Sequence, residues 1–216
     1  MILKNYAALE RGLLKLSTIP EQEAFPKIKD IEARLFRQRY LLEIHWPLAV
    51  KDYKQGVLLL PELEKGLERF GNKIGKHQLL TFYYLSAVLL FGNQQDEAAL
   101  NWINRILKDT REKIVKEIYQ FSRILNLLIH YRLGNLELLA ALLPNTRRYL
   151  RDKRPLYQTE KRLFQYFKEK INAIDEKALL QSQESLKLDL EHLSKDKKEA
   201  RVFNYIDLMT WAKEFG

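Results

Sequence analysis

Four small residues, Gly56, Ala98, Ala140 and Ser182, recur every 42 residues along this 216-residue chain. Sixteen positions before each stands a large apolar residue: Tyr40, Phe82, Ile124 and Tyr166. The next register, Leu41, Tyr83, Leu125 and Phe167, is apolar throughout, and a third, Arg37, Leu79, Phe121 and Leu163, is apolar in three of its four members. Columns that share one period mark an internal repeat, in which each unit buries its apolar face only against its neighbours. Composition selects the kind of unit. Leucine occurs 40 times and valine five, and β-branching, which favours a pleated sheet over a helix, is correspondingly scarce. Each unit reads as a helix carrying the large residues, a turn, and an antiparallel partner carrying the small one. The small side chain would let the two axes approach closely. The expected fold is all-α: an α–α superhelix (solenoid) of antiparallel helix pairs with a 42-residue period, forming one domain over 1–216.

The turn chemistry fits this reading. Phe91-Gly92-Asn93 and Leu133-Gly134-Asn135 place a glycine where a helix ends in the left-handed conformation, with an asparagine able to cap the next helix. Lys51-Asp52-Tyr53 takes the equivalent place in the first full unit. The spacing predicts a lone helix from about Leu3 to Leu16, then pairs broken near residues 51, 93, 135 and 175. The helix from Ile118 to Leu133 is apolar nearly all round and should be sandwiched. A last helix, from about Lys197 to Phe215, lies outside the repeat and is expected to cap its end. Pro61 and Pro144 fall inside second helices, where each should kink its helix or mark a break.

The block Leu85-Ser86, Phe91-Gly92-Asn93, Glu97-Ala98-Ala99-Leu100 and Trp102 resembles a tetratricopeptide (TPR) unit. The period is longer than the ~34 residues of standard TPR units, so groove positions do not transfer. Arg111-Glu112-Lys113-Ile114, Ser122-Arg123-Ile124-Leu125-Asn126, Leu133-Gly134-Asn135 and Tyr149-Leu150 are similar to bacterial TPR-like proteins with long repeats. The likeness runs from about residue 30 onward. It implies protein–protein scaffolding and no assigned reaction, and the unpaired first helix suggests the C-terminal part of a longer array.

Little in the chain resembles a reaction centre. His45, His77, His130 and His192 are scattered, and cysteine is absent, whereas a zinc or iron site needs three or four convergent ligands. Gly71-Asn72-Lys73-Ile74-Gly75-Lys76-His77 is one residue short of a phosphate-binding loop, has His77 where a hydroxyl belongs, and follows no strand. It reads as an interhelical turn. No nucleophile–base set or paired carboxylates can be picked out. The expectation is a non-enzyme with no cofactor and no metal. The uncharged stretch from Leu79 to Asn93 is too short to span a membrane, which needs ~20 apolar residues. Met1-Ile2-Leu3-Lys4-Asn5 has no signal-peptide pattern, and a cytoplasmic location is expected.

Two features point to a partner. Ser122, Asn126 and His130 recur at four-residue spacing and share a helix face. Either they line the superhelical groove and contact a ligand's backbone, or they satisfy one another between packed helices. The second feature is charge. Of the net +9, +6 falls between Arg147 and Lys170, where nine Lys/Arg meet three Asp/Glu. Arg147, Arg148, Arg151, Lys153, Arg154, Lys161, Arg162, Lys168 and Lys170 are interleaved with Tyr149, Tyr157, Tyr166 and Phe167. This ridge can be simply solvated, can attract an acidic protein segment, or can hold nucleic acid through phosphates and stacking. The expected function is a non-enzymatic interaction scaffold whose superhelical groove takes a peptide or acidic protein segment. Nucleic acid on the ridge is the second reading, and no membrane partner is expected.

Overall fold

The computed structural model describes Gly12 and residues 29–109, 115–173 and 175–214, so the lone helix expected over 3–16 lies outside the described residues. The described residues form eleven α-helices and no strand. One row comprises α1 (Lys29–Val50), α4 (Lys76–Gly92), α6 (Lys116–Arg132) and α8 (Gln158–Ile171). The other comprises α2 (Tyr53–Val57) with α3 (Leu60–Phe70), α5 (Asp96–Leu107), α7 (Leu136–Lys153) and α9 (Glu176–Leu193). Each helix from α4 to α9 packs on the next, and α1 packs on α4 and α4 on α6 within the first row. Tyr131 of α6 meets Tyr166 and Phe167 of α8, which continues that row. Helix pairs therefore break near residues 51, 93, 135 and 175, as the sequence spacing predicts. From Ile118 to His130, α6 is buried at every position except Arg123.

The turns are built differently from the sequence expectation. The left-handed residues are Lys51 (φ 60°), Gln94 (φ 58°) and Gly134 (φ 72°), 43 and then 40 residues apart. Gly134 thus fills the role assigned to it, but Gly92 does not: it is the last residue of α4, and a Cβ there would run into the ring of Tyr53. Close approach, rather than backbone handedness, is what requires glycine at 92. Asn135 does sit at the N-cap of α7, yet its side chain reaches His130 Nδ1 (3.3 Å) instead of the helix amides.

The small-residue column also needs correction. Gly56 is buried, where a Cβ would strike Leu89, but Ala98 and Ser182 are only half-buried and Ala140 is exposed on α7. Ala140 therefore lies at no helix crossing. Pro61 stands in the first turn of α3 and marks the break after α2, whereas Pro144 lies inside α7, which continues to Lys153.

The C-terminal segment departs most from expectation. Instead of one capping helix, it forms α10 (Ala200–Tyr205) and α11 (Leu208–Lys213), broken at Ile206, whose backbone is extended. It folds back over the first row, and Val202, Ile206, Leu208 and Trp211 are buried in the same core as α4, α6 and α8. An end cap would touch only the last unit. This segment touches all of them.

Gly92→Ala should lower the urea-melt stability by about 1–3 kcal/mol through overpacking against Tyr53. Ala140→Leu, at its exposed position, should change it by less than about 0.5 kcal/mol. Equal and large losses from both would restore the single 42-residue register of close crossings.

Candidate interaction site

Residues 199–214 lie along the first row and cover its face from α1 to α8. Glu199 anchors the segment at the N-terminus of α8. Its carboxylate accepts from the backbone N–H of Gln158 (3.0 Å) and Thr159 (2.9 Å) and from the Thr159 hydroxyl (2.8 Å). Helix N-termini leave such donors without partners, and a carboxylate there also meets the positive end of the helix dipole. Further along, the Tyr205 ring stacks on Phe121 at 4.1 Å and 13°. Its hydroxyl donates to Glu117 (2.6 Å), its carbonyl accepts from the Tyr84 hydroxyl (2.9 Å), and Arg201 also pairs with Glu117.

At the far end of the bend, Asp207 caps α11 through the Thr210 amide (3.1 Å) and hydroxyl (2.7 Å). It also accepts from the Tyr53 hydroxyl (2.6 Å) and pairs with Lys51 (2.9 Å), the left-handed residue of the first turn. Burial alone would raise the Asp207 pKa, but the hydrogen bonds from Tyr53, Thr210 and Lys51 outweigh it and hold the carboxyl below its ordinary value. Burial and the Asp207 carboxylate together push the Tyr53 hydroxyl well above its own, so Tyr53 remains a donor. Returning along the row, Trp211 packs edge-on against Tyr131 at 5.6 Å. Glu214 then pairs with Arg132 (2.9 Å), which also binds Asp96 (2.5 Å) and the Phe91 carbonyl (2.6 Å). Burial opposes the Arg132 charge, yet Asp96 and Glu214 raise its pKa overall.

A cleft of about 810 Å³ stays open beside the bend. Its walls are the C-terminal half of α1 (His45, Leu48), α4 (His77, Thr81, Leu85, Val88), the start of α6 (Val115, Lys116) and Phe203 of α10. His45 is reached by solvent at the rim, but the protein around it displaces enough water to lower its pKa. Sequence reasoning did not find this cleft, because its walls are brought together only by the packing of α1, α4 and α6.

Ser122, Asn126 and His130 are all buried and line neither this cleft nor the outer surface. They do not satisfy one another either. Among the described residues Ser122 Oγ and Asn126 Oδ1 have no hydrogen-bond partner, and His130 meets Asn135. Of the two alternatives, the burial of these side chains accords with a place between packed helices, although they do not satisfy one another there.

The basic window separates into two classes. Arg154 forks onto Glu160 (2.6 and 2.9 Å) and reaches Gln120 (2.9 Å), while Glu160 is fully buried. Arg162 binds Asp189 (2.5 Å) and lies near Glu169 (3.8 Å). These two belong to the packing between helices rather than to a ridge. Arg147, Arg148, Arg151 and Lys161 are exposed; Arg148 bonds only Asn145 (3.2 Å), and the other three pair with no described residue. The interleaved aromatics are occupied: Tyr166 and Phe167 are core residues, Tyr149 lies under Arg123 and Lys153, and Tyr157 under Arg154.

Among the described residues no group of His, Asp and Glu is arranged to hold a metal ion, and no helix is long and apolar enough to cross a membrane. The chain matches no protein-family model, no curated protein and no solved structure.

Two measurements test this geometry. Removing Arg154 leaves Glu160 buried and uncompensated, so Arg154→Ala should cost about 3–5 kcal/mol in a urea melt. A change below 1 kcal/mol would show that the pair does not order the α7–α8 junction. For Asp207, a folded-state pKa below the unfolded value of about 3.9 means that its contribution is present above that pH and fades as pH falls through the folded value. Asp207→Asn should therefore be less stable than the wild type at pH 7, and the gap should narrow towards pH 3. A gap that is constant with pH would exclude the ionised Lys51–Tyr53–Asp207 latch.

Proposed function

We propose that this chain is a non-enzymatic protein-interaction scaffold of the TPR-like superhelical type, acting in the cytoplasm and binding an acidic protein segment. The observation that carries this reading is the outward face of α7, where Arg147, Arg148 and Arg151 stand exposed on the last turns without an acidic partner. They share one side of the helix at three- and four-residue spacing, continuing a run begun by the small exposed residues Ala140 and Pro144. A flat, low-profile surface leading into a concentrated positive charge suits an acidic helix or extended segment. The charge would speed the encounter more than it would deepen the affinity. With residues 199–214 on the inner face, the partner is received on this outer face rather than in the groove.

Nucleic acid fits the same charge less well. Single-strand binding depends on aromatic faces free to stack on bases, and the aromatics of this window are already covered by core packing or by arginine and lysine side chains.

The test is fluorescence anisotropy with two labelled probes, a Glu/Asp-rich peptide and a random single-stranded oligonucleotide, each at low and physiological salt. The peptide should bind the wild type and lose affinity, mainly through slower association, in the Arg147→Glu, Arg148→Glu, Arg151→Glu variant. That variant should keep the wild-type circular dichroism and its stability to within about 0.5 kcal/mol, since these arginines hold no internal pair. Tight oligonucleotide binding that falls steeply and log-linearly with salt, and that is lost in the variant, would replace the protein-partner reading with a nucleic-acid one.

A further inference from the structure

The cleft beside the C-terminal bend has a charge imbalance that no described residue neutralises. Two anions and four cationic or titratable bases line it: Asp207 and Glu117 against Lys51, Lys116, His45 and His77. Both anions are already compensated, Asp207 by Lys51 and Tyr53, and Glu117 by Arg201 and the Tyr205 hydroxyl. Lys51 is consumed in the first of these. Lys116, His45 and His77 remain, exposed at the rim, with no side-chain hydrogen bond or ion pair to any described residue. Among the described residues, uncompensated charge at the cleft is therefore positive only.

The start of α6 adds to this. Its first residues line the cleft, and no described side chain caps the helix there, so the positive end of the α6 dipole lies beside the same space. Below the rim the wall is apolar, formed by Leu48, Leu85, Val88 and Phe203. A volume of about 810 Å³ falls in the usual range for small-molecule sites, which combine apolar walls with a few polar groups that fix orientation. Its lining comes from three helices and the C-terminal segment within a short span, which suits a compact ligand better than a continuous chain.

We propose that this cleft is a binding site for a small organic carboxylate with an apolar body. Lys116 supplies the fixed positive charge for the carboxylate, His77 and His45 donate hydrogen bonds to it, and the body lies against Leu85, Val88 and Phe203. This site is separate from the arginine face of α7 and does not depend on the acidic-segment reading.

The test is isothermal titration calorimetry of the full chain with decanoate and with its uncharged counterpart, decanamide. Decanoate should bind at one site per chain, and decanamide about tenfold or more weakly, because it offers no charge for Lys116 to pair with. Lys116→Glu, at an exposed position outside the core, should weaken decanoate by a similar factor and leave decanamide unchanged. Thr81→Trp, which places an indole in the cleft, should abolish both. The Arg147→Glu, Arg148→Glu, Arg151→Glu variant should bind decanoate like the wild type, so a failed peptide experiment and a failed cleft experiment remain distinguishable. Absence of saturable decanoate binding would overturn the proposal, as would equal affinity in the wild type and Lys116→Glu. Should Thr81→Trp not fold, the Lys116→Glu comparison decides alone.

Discussion

Covering α6 is the constraint on which the rest of this structure depends. A helix buried at nearly every position from Ile118 to His130 cannot be covered by its row neighbours and its partner helices alone. The face carrying Phe121 and Leu125 is the part those helices leave over. Residues 199–214 cover it, with Tyr205 stacked on Phe121 and Trp211 set among Tyr131, Tyr166 and Phe167. Burying a large apolar side chain is worth about 1.5–3 kcal/mol, and the segment buries Val202, Ile206, Leu208 and Trp211. Against a typical domain stability of about 5–15 kcal/mol, its docking belongs to the fold.

Apolar burial provides the force but not the register. That comes from carboxylates placed along the path: Glu199 at the start of α8, Asp207 at Lys51 and Tyr53, and Glu214 at Arg132. Each joins the segment to a different helix pair, so a slip of one position would break all of them at once. Their combined effect is to reserve the inner face for the chain itself. What the segment leaves uncovered is the arginine face of α7, where no described acidic residue pairs with Arg147, Arg148 or Arg151, and the cleft at the bend. Arg154 and Arg162, only a few residues away in sequence, are withdrawn from that surface because buried Glu160 and nearby Asp189 require them.

Much of the architecture was legible because it is written locally. The leucine-rich, valine-poor composition specifies helices, and turn residues near 51, 93, 135 and 175 separate them in the right places. Burial of α6 followed from its apolar circumference. Finer assignments failed where two physical causes leave the same residue. Glycine at 92 marks contact with Tyr53, glycine at 134 marks a left-handed turn, and the sequence around them is alike. Ala140 was indistinguishable from a crossing residue, because a small side chain suits an exposed helix face equally well. The basic window could not be divided in advance, since the partners of Arg154 and Arg162 depend on how α6, α7, α8 and α9 meet. The return of the C-terminal segment was the least legible feature. Its contacts with Lys51, Tyr53 and Tyr84 span more than 120 residues, and the segment's own sequence reads only as a last helix outside the repeat.

Hydrogen–deuterium exchange of the intact chain tests the central claim most directly. If residues 202–212 are part of the core that covers α6, their amides should be protected to nearly the same extent as those of Phe121 to Ile129 and should open together with them as denaturant is raised. Exchange of 202–212 at the rate of an unfolded chain, while α6 stays protected, would contradict the account and leave the inner face open for a partner.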